Sequence, residues 1–152
     1  MQAGVIGAAA LAGAAAVPAR AQEEDAGDED AAGLWVAELG KVKDLNEKEP
    51  VLIKAEFKDK DGALLDTEKI FVRWERIRRD EGRWVVLSAI CQHLKCKVEY
   101  QDGEEIFRCP CHGSEYDLDG TVTKKPSRKD LPDYSDMAIE EDGMLKLTRE
   151  PE

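Results

Sequence analysis

All four cysteines and both histidines of this chain lie between Cys91 and His112. They fall into two short boxes, Cys91-Gln92-His93-Leu94-Lys95-Cys96 and Cys109-Pro110-Cys111-His112-Gly113-Ser114-Glu115-Tyr116. Each box offers one thiol and one imidazole at close spacing, Cys-x-His in the first and Cys-x-x-His in the second, with one further cysteine. Cysteines scattered through a core would not gather in this way, so the pattern means a metal site, a disulfide, or both. Thiolate and imidazole together suit zinc or an iron–sulfur centre, and the spacing alone permits a structural Cys2His2 zinc site.

The segments around the boxes read as β-structure. Val51 to Phe57 alternates partly with period two, and Ile70 to Trp74 reads as a strand with one apolar side turned inward. Trp84 to Ile90 is a short apolar run rich in β-branched residues, a buried strand leading straight into Cys91. Turn signals recur at Asp61-Gly62, Glu81-Gly82, Asp102-Gly103, Asp119-Gly120 and Asp142-Gly143, where glycine accepts the positive φ of a tight hairpin. The turn at Asp102-Gly103 is expected to fold Lys97 to Arg108 into a hairpin that sets the two boxes side by side. Regular turns between short strands predict an all-β chain built as a small antiparallel sandwich. No segment carries a long helical period; the β pattern runs from Leu34 onward, with a short helix or turn around Val36 to Leu45 left open.

The rest of the chain sets the context. It has 152 residues and a formal net charge of -11, which argues against nucleic acid, since a phosphate backbone calls for clustered Lys and Arg. Acidity would suit a partner with a basic face, or serve solubility alone. Residues 1–21 hold an uncharged Ala/Gly-rich run from Ala3 to Val17, then Pro18 and the small-x-small triplet Ala19-Arg20-Ala21. This is expected to be an export segment, cleaved near Ala21, or part of a membrane anchor. Residues 22–33 include the charge run Glu23 to Asp30 and read as a flexible acidic linker. Residues 34–152 remain for the domain that carries the boxes.

The pattern C-x-H-L-x-C followed by C-P-C-H-G-S-x-Y resembles the Rieske iron–sulfur proteins, above all those of quinol-oxidising cytochrome bc and b6f complexes. The resemblance spans roughly Leu34 to Thr148, with its specific part confined to Cys91 through Tyr116. It implies a sandwich of Rieske type with two cluster-binding hairpin loops and one [2Fe–2S] cluster per chain. By this resemblance Cys91 and Cys109 hold one iron, His93 and His112 hold the other, and Cys96 and Cys111 form a disulfide. Ser114 would donate a hydrogen bond to a bridging sulfide and Tyr116 one to the Cys91 Sγ, both tuning the cluster. His112, with Leu94 beside it, would contact the quinol, and Pro126 would belong to a loop covering the cluster. The chemistry is consistent: neutral imidazoles in place of two thiolates raise the reduction potential, and a ligand histidine couples electron uptake to proton uptake.

The implied partners are a cytochrome b-type membrane subunit, a quinol, and a c-type cytochrome or equivalent acceptor. The implied location is the periplasmic or exoplasmic face of a membrane, with the N-terminal segment as the tether. The match departs from the usual C-T-H-L-G-C box at Gln92 and Lys95, and Lys125 precedes Pro126 where the family tends to carry Gly. Both lysines make the tip more basic. Two other Rieske settings compete: the small subunit of an exported arsenite oxidase, and a soluble ferredoxin of a ring-hydroxylating oxygenase. Ferredoxins of that kind lack the extra cysteine pair, so Cys96 and Cys111 speak against the second.

Overall fold

A computed structural model of the chain describes residues 33–45, 49–79 and 81–150. The expected export segment lies outside the described residues, and so does the expected linker except for Gly33. Ten strands follow in order: β1 Trp35–Lys41, β2 Val51–Lys58, β3 Leu64–Arg78, β4 Glu81–Ser88, β5 Glu99–Gln101, β6 Ile106–Arg108, β7 Glu115–Tyr116, β8 Val122–Lys124, β9 Ala138–Glu141 and β10 Met144–Arg149. They form two antiparallel sheets. One is six-stranded, in the order β4-β3-β2-β1-β10-β9; the other is four-stranded, β5-β6-β7-β8. The described residues contain no α-helix.

The all-β expectation therefore holds, with local corrections. The stretch from Val36 to Leu45 is strand β1 followed by a 3-10 turn over Val42–Asp44, since Ala37 and Leu39 alternate into the core. Glu81-Gly82 is no turn but the start of β4. Gly82 is needed for space: a Cβ there would sit 2.5 Å from the Trp74 ring. Asp102-Gly103 does turn between β5 and β6, but as a 3-10 turn closed by Glu105 at φ 52, so the left-handed residue is not the glycine. The hairpin that joins the boxes forms as expected, with Glu99 opposite Arg108 and Gln101 opposite Ile106.

The unbroken apolar runs of β3 and β4 have a simple cause: both faces are buried. Ile70, Val72 and Val86 point into a core shared with Ala37, Phe57 and Leu147. Phe71, Val85 and Leu87 point the other way, into a second core with Val98, Phe107, Tyr116 and the thiols of Cys91 and Cys109. The expected single inward side of Ile70 to Trp74 is thus two sides. The Phe71 and Phe107 rings lie 4.6 Å apart and join the two sheets. The free edge of β4 is covered by the chain leading to β9: Tyr134 N donates to Val86 O at 2.8 Å and Ser88 N to Pro132 O at 2.9 Å. This pairing closes the larger sheet towards a barrel and keeps its edge from water and from other chains.

A charged latch adds to the apolar contact. Arg73 on β3 is 9% exposed. Its Nε donates to Leu118 O at 3.0 Å, and its terminal nitrogen to Asp119 Oδ1 at 2.8 Å and Glu75 Oε1 at 3.3 Å. Arg83 on β4 grips the same acids from solvent, 2.6 Å from Glu75 and 3.5 Å from Asp119. The latch ties the β7–β8 turn to the larger sheet. Removing Arg73 leaves a carbonyl and two carboxylates without their buried donor, a loss of about 2 kcal/mol. Arg73→Ala should lower the urea midpoint by far more than Arg83→Ala, whose side chain is half exposed; equal losses would show that the latch is a surface ion pair only.

Candidate metal centre

The two boxes are folded on one hydrogen-bond frame. In the first, Cys91 N donates to Cys96 O at 2.7 Å and Lys95 N to Cys91 O at 3.0 Å. In the second, Cys109 N donates to Ser114 O at 2.8 Å and Gly113 N to Cys109 O at 2.9 Å. Each loop thus turns back on its first cysteine, and each needs a left-handed residue at its fifth position. Gly113 fills that position at φ 75 without strain, but Lys95 does so at φ 60. A side chain in that conformation costs about 1–2 kcal/mol. The Lys95 ammonium donates to Gln92 Oε1 at 2.9 Å, and the Gln92 amide donates to Ile90 O at 3.0 Å, which holds the strained corner together.

The loops are joined covalently by a disulfide between Cys96 and Cys111, as the resemblance implied. Cys91 and Cys109 remain as free, buried thiols. The Cys109 Sγ lies within 4.8 Å of both disulfide sulfurs, but those two are bonded to each other and have no thiolate to give. The donors fit for a metal centre are therefore Cys91 and Cys109, with the imidazoles of His93 and His112. The two rings stand 5.0 Å apart and perpendicular. His93 is half-buried and His112 exposed, and Leu94 beside them is 61% exposed. Sulfur inside and imidazole outside suits a [2Fe–2S] centre with two kinds of ligand on its two irons.

Electrostatics favour a thiolate at this depth. Burial raises the Cys91 thiol, but donors outweigh burial and leave it below the ordinary thiol range: Tyr116 first, then the His93 amide, Cys109 and Ser114. The Tyr116 hydroxyl sits 3.1 Å from the Cys91 Sγ. Burial, and then the negative sulfur, push the Tyr116 phenol up to about 12, so it stays protonated and acts as the donor. Cys109 goes the other way: burial pushes it up, the Cys111 amide pulls it back, and contact with Cys91 raises it again. Two adjacent thiols share one negative charge comfortably and two only with a cation between them.

The sequence-predicted residues Cys91, His93, Cys109, His112, Ser114 and Tyr116 come together here. Pro126 is close in the chain to the contact that seals the site. The Ser127 N–H donates to the Ser114 Oγ at 2.9 Å, which leaves the Ser114 hydroxyl proton free to face the sulfur. Ser127 is 2% exposed and was missed from sequence, although its place directly after Pro126 was a usable signal. Arg73 was missed for want of any local signal.

The family model described as the Rieske [2Fe-2S] domain matches residues 35–135. A cytochrome b6-f complex iron-sulfur subunit of Synechococcus sp. (strain JA-3-3Ab) is 47% identical over 45 residues, which is 30% of this chain and 26% of that protein. The subunit of the same name from Prochlorococcus marinus (strain AS9601) is 44% identical over 59 residues, 39% of this chain and 33% of that protein. The chain thus spans about a quarter to a third of the length of these curated relatives. Among solved structures, the plasma membrane Rieske protein PetC3 from Synechocystis PCC 6803 superposes with a TM-score of 0.50 at 23% identity, covering 74% of this chain and 97% of that one. That likeness speaks for the fold.

Two outcomes test the local account. Lys95→Gly should raise stability by about 1 kcal/mol in urea unfolding, because only the lysine is strained at that φ; no gain would mean the Gln92 contact offsets the strain. In protein without metal, Tyr116→Phe should move the Cys91 thiolate absorbance transition to higher pH, since it deletes the leading donor to that sulfur.

Proposed function

The chain belongs to the Rieske [2Fe–2S] family, and on that premise we propose that it accepts electrons and protons from a quinol and passes the electrons to a c-type cytochrome or equivalent acceptor. It is a Rieske electron carrier related to cytochrome b6-f iron-sulfur subunits. The observation that carries the quinol reading is the layering of the donors: two buried sulfurs, with one imidazole half-buried and the other exposed beside it. In this reading Cys91 and Cys109 would hold one iron of the cluster, and His93 and His112 the other. When bound, the cluster supplies a one-electron acceptor whose mixed ligation gives it a potential of roughly −150 to +300 mV.

The chain's own residues do the remaining work. His112 is exposed, and a ring nitrogen not bound to iron would take the proton of a quinol hydroxyl. Leu94 offers apolar surface for the quinol ring. Tyr116 and Ser114 donate towards the Cys91 sulfur and stabilise the extra negative charge of the reduced state, which raises the potential. The disulfide and the loop through Pro126 and Ser127 hold the two boxes in place and keep water from the sulfurs.

The proposed setting is a membrane complex with a cytochrome b-type subunit, on the periplasmic or exoplasmic side, with residues 1–21 as tether or cleaved leader. Among the described residues no helix is long and apolar enough to cross a membrane, and that N-terminal segment is not among them.

The matured protein should show a midpoint potential in the upper part of the Rieske range. It should be flat near neutral pH and fall at alkaline pH with a slope approaching about 59 mV per unit for one proton per electron. A low potential that does not move with pH would remove the quinol reading and leave a ferredoxin-type carrier. Ser114→Ala and Tyr116→Phe should each lower the potential while the visible cluster spectrum persists; an unchanged potential would show that these hydroxyls only pack.

A further inference from the structure

The charge of the molecule is unevenly placed. The segments that surround the candidate centre, 91–98, 109–116 and 122–130, carry six cations and two carboxylates, a net +4, while the other described residues carry a net -8. The cations are Lys95, Lys97, Lys124, Lys125, Arg128 and Lys129, and all but the half-buried Lys97 are exposed. The two carboxylates are already engaged: Glu115 is bound by Arg108 at 3.1 Å and Lys124 at 2.9 Å, while Asp130 accepts from Val122 N at 2.8 Å. Among the described residues, Lys97, Lys125, Arg128 and Lys129 make no ion pair. Asp117 and Asp119 follow the second box, but Asp117 accepts from the amides of its own turn and Asp119 is held by Arg73 and Arg83. Asp66 and Glu68 line a cleft with Gln92 and Lys95 and are held by Arg149. Further acids belong to the β5–β6 hairpin. Asp102, Glu104 and Glu105 lie at its turn, and the Glu104 carboxylate is spent on Arg108, 2.7 Å away. Glu99 is nearer, and sits opposite Arg108 in the ladder.

We propose that this basic face, centred on the exposed His112 and Leu94, is the docking surface for a redox protein whose own contact face is acidic. The inference rests on the electron-carrier reading and adds to it the chemistry of the partner. It reverses what net charge alone suggests, a partner with a basic face. Docking is decided within a Debye length of the contact, about 8 Å at physiological salt, so the local field outweighs the distant excess of carboxylates. Lys95 strengthens the case, because it keeps a cation at a corner where glycine would be unstrained. The apolar Leu94 at 61% exposure inside a charged rim has the usual anatomy of a transient interface.

The test uses the full chain and a redox-inert probe, an acidic c-type cytochrome carrying zinc porphyrin in place of haem, with a basic c-type cytochrome prepared likewise as control. Binding of the acidic probe should weaken about tenfold or more as salt rises from about 20 to about 200 mM. Lys125→Glu with Arg128→Glu should weaken it at least as much at low salt, Lys125→Gln with Arg128→Gln less, and Lys58→Glu on the larger sheet not at all. Tighter binding of the basic probe, or no loss on charge reversal at Lys125 and Arg128, would overturn the proposal. The probe takes no electron, so the two readings fail separately: firm salt-sensitive binding by a protein with no redox-active cluster would end the carrier reading and leave the docking surface standing.

Discussion

Two sulfur atoms must lie side by side, out of water, and carry negative charge; almost everything else in this molecule answers that demand. Buried thiolates are costly, and two adjacent ones more so. The chain meets the cost with donors set close around them. Tyr116, Ser114 and the amides that follow each cysteine all point protons at sulfur. Each donor in turn is fixed by something further out, as Ser114 is by the Ser127 amide. The shell was arranged around charge before any metal is considered, and a cationic centre between the sulfurs completes what the donors only begin.

A shell of this kind works only on a stiff base. Strands β3 and β4 provide it because they belong to two cores at once, with Ile70 and Val72 turned one way and Phe71 and Leu87 the other. The smaller sheet has strands of only two or three residues and could not stand alone. It is held by the ring contact between Phe71 and Phe107 and by Arg73, whose guanidinium crosses from one sheet to the turn of the other.

The site was far more legible in the sequence than the scaffold that holds it. Its residues sit in two contiguous boxes because the loops are self-contained, each closing on its own backbone within six residues. Local chemistry written in local sequence can be read. The strands leading to the boxes were legible as well, since β-branched apolar runs have few alternatives. What escaped was long-range or conformational. Nothing near Arg73 announces a carbonyl at Leu118, and an acidic residue followed by glycine looks the same whether the glycine supplies a turn, as at Gly62, or only room for an indole, as at Gly82. The left-handed Lys95 was visible only as a departure from the family's box; its strain needed coordinates.

The uneven charge also makes the molecule a dipole, a cationic end on an anionic body. Near an acidic surface such a body feels a couple as well as a pull: the bulk is pushed away while the tip is drawn in. Rotation is then no longer random during approach. With the proposed docking face, the carrier would arrive already turned, imidazole end first, and a larger share of collisions would begin within electron-transfer distance. Its acidity, which looked like mere solubility in the composition, becomes a rudder.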